Sequence, residues 1–266
     1  MIEKEILKNY INKELSYKEI AKIFNVNEKT IKINAKKYGL TSKIGSQGAR
    51  KHKFNERYFE NIDSEEKAYW LGFIAADGCV YKNKQSYRLQ INLKGSDIDH
   101  LKKFQKAICS DYKITEKKVG KAQSNTCQLK INSTKMCNDL IKNNIIERKS
   151  IIFEPPILNK NLMSHFIRGY FDGDGWITSY KRKDSNGYRN EVGIIGGKKA
   201  LNYFIDFLPK GFSKYEKYKD DKIIQISGSS IKTISETYNY LYEDATIFLD
   251  RKKNVFENIM SRLTEM

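Results

Sequence analysis

Two aspartates, Asp77 and Asp174, each close an apolar helical run and each precede a glycine. The first run reads Trp70-Leu71-Gly72-Phe73-Ile74-Ala75-Ala76-Asp77-Gly78, and the second Ile167-Arg168-Gly169-Tyr170-Phe171-Asp172-Gly173-Asp174-Gly175. Each carries small residues four apart, Gly72 and Ala76, then Gly169 and Gly173. Residues four apart share a helix face, and small ones let two helix backbones approach closely. The glycine after each aspartate predicts a C-terminal cap in which the chain turns left-handed. If the two helices pack in parallel, both carboxylates arrive at one end, beside carbonyls that the last helical turn leaves unpaired. Two carboxylates and free carbonyls suit a hard cation such as Mg²⁺. Asp172 has Ala75 as its counterpart, so it reads as a packing or hydrogen-bonding residue rather than a ligand.

The elements around the two runs also repeat. Tyr87-Arg88-Leu89-Gln90-Ile91-Asn92-Leu93-Lys94-Gly95 follows the first, and Tyr188-Arg189-Asn190-Glu191-Val192-Gly193-Ile194-Ile195-Gly196 the second. Amphipathic helices come next, with Leu101, Phe104 and Ile108 in one and Leu201, Phe204 and Leu208 in the other. Two short strands and another helix follow each. Glu147-Arg148-Lys149 then corresponds to Asp250-Arg251-Lys252, and each precedes an apolar run containing Phe. Each unit reads helix, two strands, helix, two strands, helix. Two units with a period near 100 residues describe a duplication rather than a solenoid. Alternation in the strand after Asp77 places Leu89, Ile91 and Leu93 on one face, and Arg88, Gln90 and Asn92 on the other. Arginine suits guanine, and Gln or Asn suits adenine, in the major groove of DNA; an ordinary sheet with one wet face has the same pattern.

The paired Asp-Gly runs with matching flanks resemble the LAGLIDADG homing endonucleases, over residues 54–266. The resemblance implies an α+β fold of two pseudo-symmetric αββαββα units with saddle-shaped antiparallel sheets. Their polar faces would lie on DNA: Tyr81, Asn83, Arg88, Gln90 and Asn92 in one unit, and Thr178, Tyr180, Arg182, Arg189 and Glu191 in the other. It implies that Asp77 and Asp174 bind Mg²⁺ (or Mn²⁺), with backbone carbonyls from Ala76 and Gly173. Basic residues late in the fourth strands are a family feature. Aligning Leu129-Lys130-Ile131 with Ile224-Gln225-Ile226 puts Lys130 and Gln225 there, and Gln cannot carry charge. The implied activity is site-specific, double-strand DNA hydrolysis. One chain holds both half-sites, so a monomer on a long asymmetric target is expected. Met1 at the start and the lack of a closing His-Asn favour an intron-borne or free-standing homing enzyme over an intein.

Residues 1–45 read as an added helix-turn-helix. Ser16-Tyr17-Lys18-Glu19 forms a capping box, and Asn27 caps a third helix that Gly39 stops. Ala21, Asn25, Val26 and Ile31 match the pattern of small crossing residue, left-handed turn and two pinning apolar side chains. Lys29, Lys32, Lys36 and Lys37 fall on the exposed side of a helix that would enter the major groove. A three-helix structural cap with solvated lysines is the alternative. Residues 46–60 read as a basic linker, residues 61–157 as the first unit and residues 158–266 as the second, with Pro155-Pro156 breaking the chain between them.

Composition sets the outer limits. A formal charge of +17 points to a polyanion, although a lysine-rich proteome would also raise it. No run of 18 apolar residues occurs, so no membrane span is expected, and the N-terminus does not read as a signal peptide. The expected setting is the cytoplasm of a bacterial or phage-infected cell, or an organelle matrix. Cys79, Cys109, Cys127 and Cys137 lack CxxC spacing and read as buried reduced thiols. His52, His100 and His165 are too scattered for a zinc site. The other reading on the same fold is a non-cleaving nucleic-acid-binding protein, an intron RNA maturase or a transcription regulator. Such relatives typically lose motif acids, and both acids remain here.

Overall fold

The computed structural model describes residues 2–13, 15–40, 52–83, 86–119, 124–147, 149–183, 187–216 and 222–264. The chain forms two compact units, Met1–Lys53 and Phe54–Met266.

The smaller unit holds α1 (Lys4–Asn12), α2 (Tyr17–Ile23) and α3 (Glu28–Lys37). The Ser16 hydroxyl accepts from the Glu19 amide while the Glu19 carboxylate accepts from the Ser16 amide, so the capping box is complete. Asn27 caps α3 through the Lys29 amide. Asn25 takes φ of 50° and Gly39 φ of 66°, the left-handed geometry that ends each helix. Leu7, Ile11, Ile20, Ala21, Ile31 and Ala35 form the core. Val26 departs from its expected pinning role: its amide bonds to the Ala21 carbonyl, but its side chain is exposed. Lys29, Lys32, Lys36 and Lys37 are exposed, and Lys32 pairs with Glu28 at 2.7 Å.

The larger unit contains both repeats. The first runs α4 (Glu65–Asp77), β1 (Gly78–Asn83), β2 (Ser86–Lys94), α5 (Ile98–Ala107), β3 (Thr115–Val119), β4 (Ser124–Asn132) and α6 (Thr134–Lys142). The second runs α7 (Lys160–Asp174), β5 (Gly175–Lys181), β6 (Tyr188–Gly197), α8 (Lys198–Ile205), β7 (Ser213–Glu216), β8 (Ile223–Gly228), α9 (Ile231–Tyr242) and α10 (Asp250–Thr264). Each repeat forms a four-stranded antiparallel sheet, in the orders β1-β2-β4-β3 and β5-β6-β8-β7. This is the α+β arrangement expected of the repeats. Among the described residues the second repeat has one helix more, α10. In the first, the corresponding run reaches Pro155-Pro156, where a helix would lose amide donors and meet the proline rings.

Helices α4 and α7 are the centre of this unit. Ser64 caps α4, with Glu65 and Glu66 in its positive first turn. Residues Ala68 through Ala75 are buried without a break, as befits a helix enclosed on all sides. The apolar sheet faces cover these helices: Leu89, Ile91, Leu129 and Ile131 from one sheet, Val192, Ile194, Ile224 and Ile226 from the other. Residues 46–51 of the expected basic linker lie outside the described residues. Tyr58 and Phe59, further along that stretch, are buried in the core. Cys127 and Cys137 are buried thiols, but Cys79 and Cys109 are exposed, contrary to expectation. No described helix is long and apolar enough to cross a membrane.

Candidate active site

The carboxylates meet because glycine permits the helices to touch. A Cβ on Gly72 would lie 1.9 Å from the Phe166 carbonyl oxygen, and one on Gly169 would lie 1.9 Å from that of Tyr69. A Cβ on Gly173 would lie 2.3 Å from the Cβ of Ala76. Contacts advance along both helices in the same direction, so α4 and α7 are parallel. Their C-termini deliver Asp77 and Asp174 side by side, where a Cβ on Gly173 would be 3.3 Å from the Asp77 Oδ2. Small residues four apart therefore do what their spacing predicts.

The following glycines act differently from expectation. Gly78 has φ −85° and ψ 151°, and Gly175 φ −88° and ψ 171°, so both are extended, not left-handed. Each residue passes straight from helix into strand. Glycine is needed for space: a Cβ on Gly78 would come within 2.7 Å of the Ile74 carbonyl oxygen, and one on Gly175 equally close to that of Phe171.

Both carboxylates are half-buried. Burial first, and then the charge of Asp174, raise the Asp77 pKa to about 6, against the opposing pull of Lys252, Lys149 and Arg251. Burial also raises Asp174, while Lys149, Lys252 and the nearby Tyr170 hydroxyl pull it down. Two buried lysines thus face the acids. Lys149 donates to the Gly78 carbonyl. Lys252 donates to the carbonyls of Phe171 at 2.5 Å and Gly175 at 2.6 Å. Burial lowers both lysines, Lys252 to about 8. Neither was assigned a role from sequence; the signal was the repeated Glu-Arg-Lys and Asp-Arg-Lys.

The donor set fits a hard cation in part. Among the described residues no group of three or more His, Cys, Asp or Glu is placed to hold a metal ion. A cation here would rest on two carboxylates, with its remaining ligands from water, phosphate and carbonyls such as those of Ala76 and Gly173, which lie in the open last helical turns. Mg²⁺ is commonly held in this way, by one or two carboxylates and substrate phosphates. Asp172 is not available. It is buried and accepts hydrogen bonds from the hydroxyls of Tyr69 (2.8 Å) and Tyr242 (2.6 Å) and the amide of Leu249 (2.7 Å).

Strand register settles which side chains share the polar sheet faces. Tyr81 opposes Arg88, Asn83 opposes Ser86, Gln90 opposes Lys130, and Asn92 opposes Gln128. Tyr81, Asn83, Arg88, Gln90, Asn92 and Lys130 therefore lie on one face. Arg88 bonds to Asn132 at 2.7 Å, and Tyr81 bonds to Gln90 at 3.2 Å. In the second sheet Thr178 opposes Glu191 and Tyr180 opposes Arg189. Arg182 lies just past β5 and is exposed. A hollow of about 390 Å³ on this face is lined by Arg189, Glu191, Tyr215, Gln225 and Ser227.

The register also corrects one alignment. Gly78 opposes Ile91, which opposes Leu129; Gly175 opposes Ile194, which opposes Ile226. Leu129 is thus the counterpart of Ile226. Lys130 then matches Ser227, and Gln225 matches Gln128. The sequence alignment had slipped by two residues, a shift that keeps every side chain on its face and so leaves the apolar pattern unchanged.

No protein-family model matches the chain, and no curated protein sequence matches it. Solved structures do. The LAGLIDADG homing endonuclease I-GzeII in complex with its DNA target is similar with a TM-score of 0.52 and 15% identity, over 74% of this chain and 90% of that one. The LAGLIDADG meganuclease I-AabMI bound to uncleaved DNA gives 0.53 and 13%, over 76% and 92%. The LAGLIDADG homing endonuclease I-LtrWI bound to target DNA gives 0.51 and 15%, over 79% and 92%. An αββαββα repeat and a second with one further helix, joined along glycine-lined parallel helices, give this chain the fold of the LAGLIDADG homing endonucleases.

Proposed function

We propose that the chain is a site-specific DNA endonuclease that hydrolyses both strands of a long asymmetric target with Mg²⁺ or Mn²⁺. The observation that carries this reading is the meeting of Asp77 and Asp174 at the shared end of α4 and α7, each opening directly into the first strand of a polar-faced sheet. A cation bound there would polarise the scissile phosphate and lower the pKa of a bound water. Asp77 and Asp174 supply its carboxylate ligands. Lys149 and Lys252 hold positive charge beside them, where phosphate charge develops during hydrolysis. The side chains on the two polar faces, from Tyr81 to Asn92 and from Thr178 to Glu191, contact base edges. Residues 1–45 act as a helix-turn-helix whose Lys29, Lys32 and Lys36 add phosphate contacts.

Both half-sites lie in one chain, which supports action as a monomer. The net charge of +17 supports a polyanionic partner. The protein would work wherever its DNA lies, in a bacterial or phage-infected cytoplasm or an organelle matrix, as a homing enzyme.

The test is cleavage selection from a randomised duplex pool with Mg²⁺. Enrichment of one non-palindromic site, cut in both strands by the wild-type chain and by neither Asp77→Asn nor Asp174→Asn, is expected. Specific binding without any cleavage would place the protein among non-cleaving binders on the same fold.

A further inference from the structure

The outward face of α3 is basic except at its centre. Ile31 and Ala35 are the buried residues of this helix. With 3.6 residues per turn, Ile33 falls opposite the midpoint between them. Its side chain is 60% exposed, more than any other large apolar one among the described residues of the smaller unit. Side chains three and four positions away are its neighbours on the helix surface. These are Lys29, Thr30, Lys36 and Lys37, all exposed. Glu28, the one acid of α3, is taken up by Lys32 at 2.7 Å.

Neither packing nor helix formation asks for isoleucine here. Ile33 is not among the residues of the unit's core, and a β-branched side chain on a helix surface is a poorer helix former than Lys, Glu or Ala. A single exposed apolar side chain is ordinary on a protein surface. This one is ringed by three lysines, on the helix that a helix-turn-helix presents to DNA. A face that only binds phosphates gains nothing from it. The major groove does offer an apolar partner, the C5-methyl group of thymine. The lysines draw the face onto the phosphates, and the isoleucine meets the groove between them. Asn34, the residue type on α3 suited to adenine, is turned back on its own helix: its side-chain amide donates to the Thr30 carbonyl at 2.8 Å.

We propose that Ile33 reads the methyl group of a thymine in the major groove, so that the smaller unit selects sequence and does not only add affinity. The proposal rests on reading residues 1–45 as a helix-turn-helix in a DNA-binding chain. The competing occupant of this face is an acidic protein surface, against which the same isoleucine would be buried.

The experiment uses the full chain and its selected duplex, with Mg²⁺ withheld. Each thymine is replaced in turn by deoxyuridine, which keeps the base pair and removes only the methyl group. In wild type, replacement of the thymine read by Ile33 should weaken binding roughly fourfold, the worth of one buried methyl group. Ile33→Ala should weaken binding to the thymine duplex by a similar factor and abolish the penalty at that position, while penalties at thymines read by the sheets remain. Because Ile33 is exposed, the substitution should leave the melting temperature unchanged. Lys36→Ala should weaken both duplexes equally and lower the salt dependence, as loss of a phosphate contact does. If Ile33→Ala relieves no deoxyuridine penalty, the proposal falls; an unchanged DNA affinity in that variant would assign the face to a protein partner. Absence of specific duplex binding by wild type would instead overturn the DNA reading on which the proposal rests.

Discussion

The Nζ of Lys252 donates to the carbonyl oxygen of Gly175, the residue directly after Asp174, at 2.6 Å. Lys149 makes the same contact with Gly78, directly after Asp77. Two lysines distant in sequence from the acids are thus fixed at both helix ends by the backbone of the acids' own neighbours. Replacing either with methionine keeps the buried stem and removes the charge. Lys149→Met and Lys252→Met should each bind target DNA with Mg²⁺ withheld, and each should lose about 100-fold or more in cleavage rate. Single-turnover kinetics on the selected duplex measures this, and near-normal rates would remove both lysines from the reaction.

Cleavage should depend on pH as a bell. Asp77 must be ionised to hold a cation, and without metal it titrates at about 6; a bound cation lowers that value, so the acid limb should fall at or below pH 6. Lys252 is held down to about 8, so its charge, and with it activity, should be lost as pH rises through 8. Lys252→Met should abolish the alkaline limb in its residual activity. A rate that keeps climbing past pH 9 in the wild type would count against a working ammonium.

The metal-free protein should carry a signature of the buried acid in its stability. The pKa of Asp77 is raised from 3.8 to about 6 on folding. Between these values the folded state binds more protons than the unfolded one, so stability declines as pH rises through this window. Asp77→Asn removes that dependence. Its melting temperature relative to wild type should therefore rise from pH 4 to pH 7, and the gap should close on adding Mg²⁺ to wild type. A constant difference across the range would show that the carboxylate is not strained by burial.

The helix interface should tolerate no side chain at its crossing. Gly72→Ala and Gly169→Ala each place a methyl 1.9 Å from a backbone oxygen. Neither helix can yield without moving its aspartate. A cost of at least about 3 kcal/mol is expected, the upper end for overpacking. Chemical denaturation would reveal it as a lower midpoint. A surface change such as Lys102→Ala, at an exposed ion pair with Asp99, should shift stability by under about 1 kcal/mol.

Much of this protein was legible in its sequence because the information is local or repeated. Small residues four apart in Gly72 and Ala76, Gly169 and Gly173 specify a close helix contact whatever surrounds them. Alternation in Leu89, Ile91 and Leu93 fixes which side of the strand is wet. Ser16, Glu19 and Asn27 cap helices through neighbours two or three residues away. The duplication declares itself by matching two stretches 97 residues apart. Tertiary structure decided what depends on distant partners. The lysines that reach the acids are Lys149 and Lys252, because the segments after α6 and α9 fold back to the helix ends. Asp172 is consumed by Tyr69 and Tyr242, a pairing of residues 103 and 70 positions apart. Lys130 matches Ser227 rather than Gln225, since strands of period two look identical after a slip of two and only cross-strand hydrogen bonding distinguishes the registers. Gly78 and Gly175 are glycines for want of space, not for a left-handed turn: the residues that crowd them, Ile74 and Phe171, are only four positions away, and it is the extended backbone at the start of each strand that would turn a Cβ onto them.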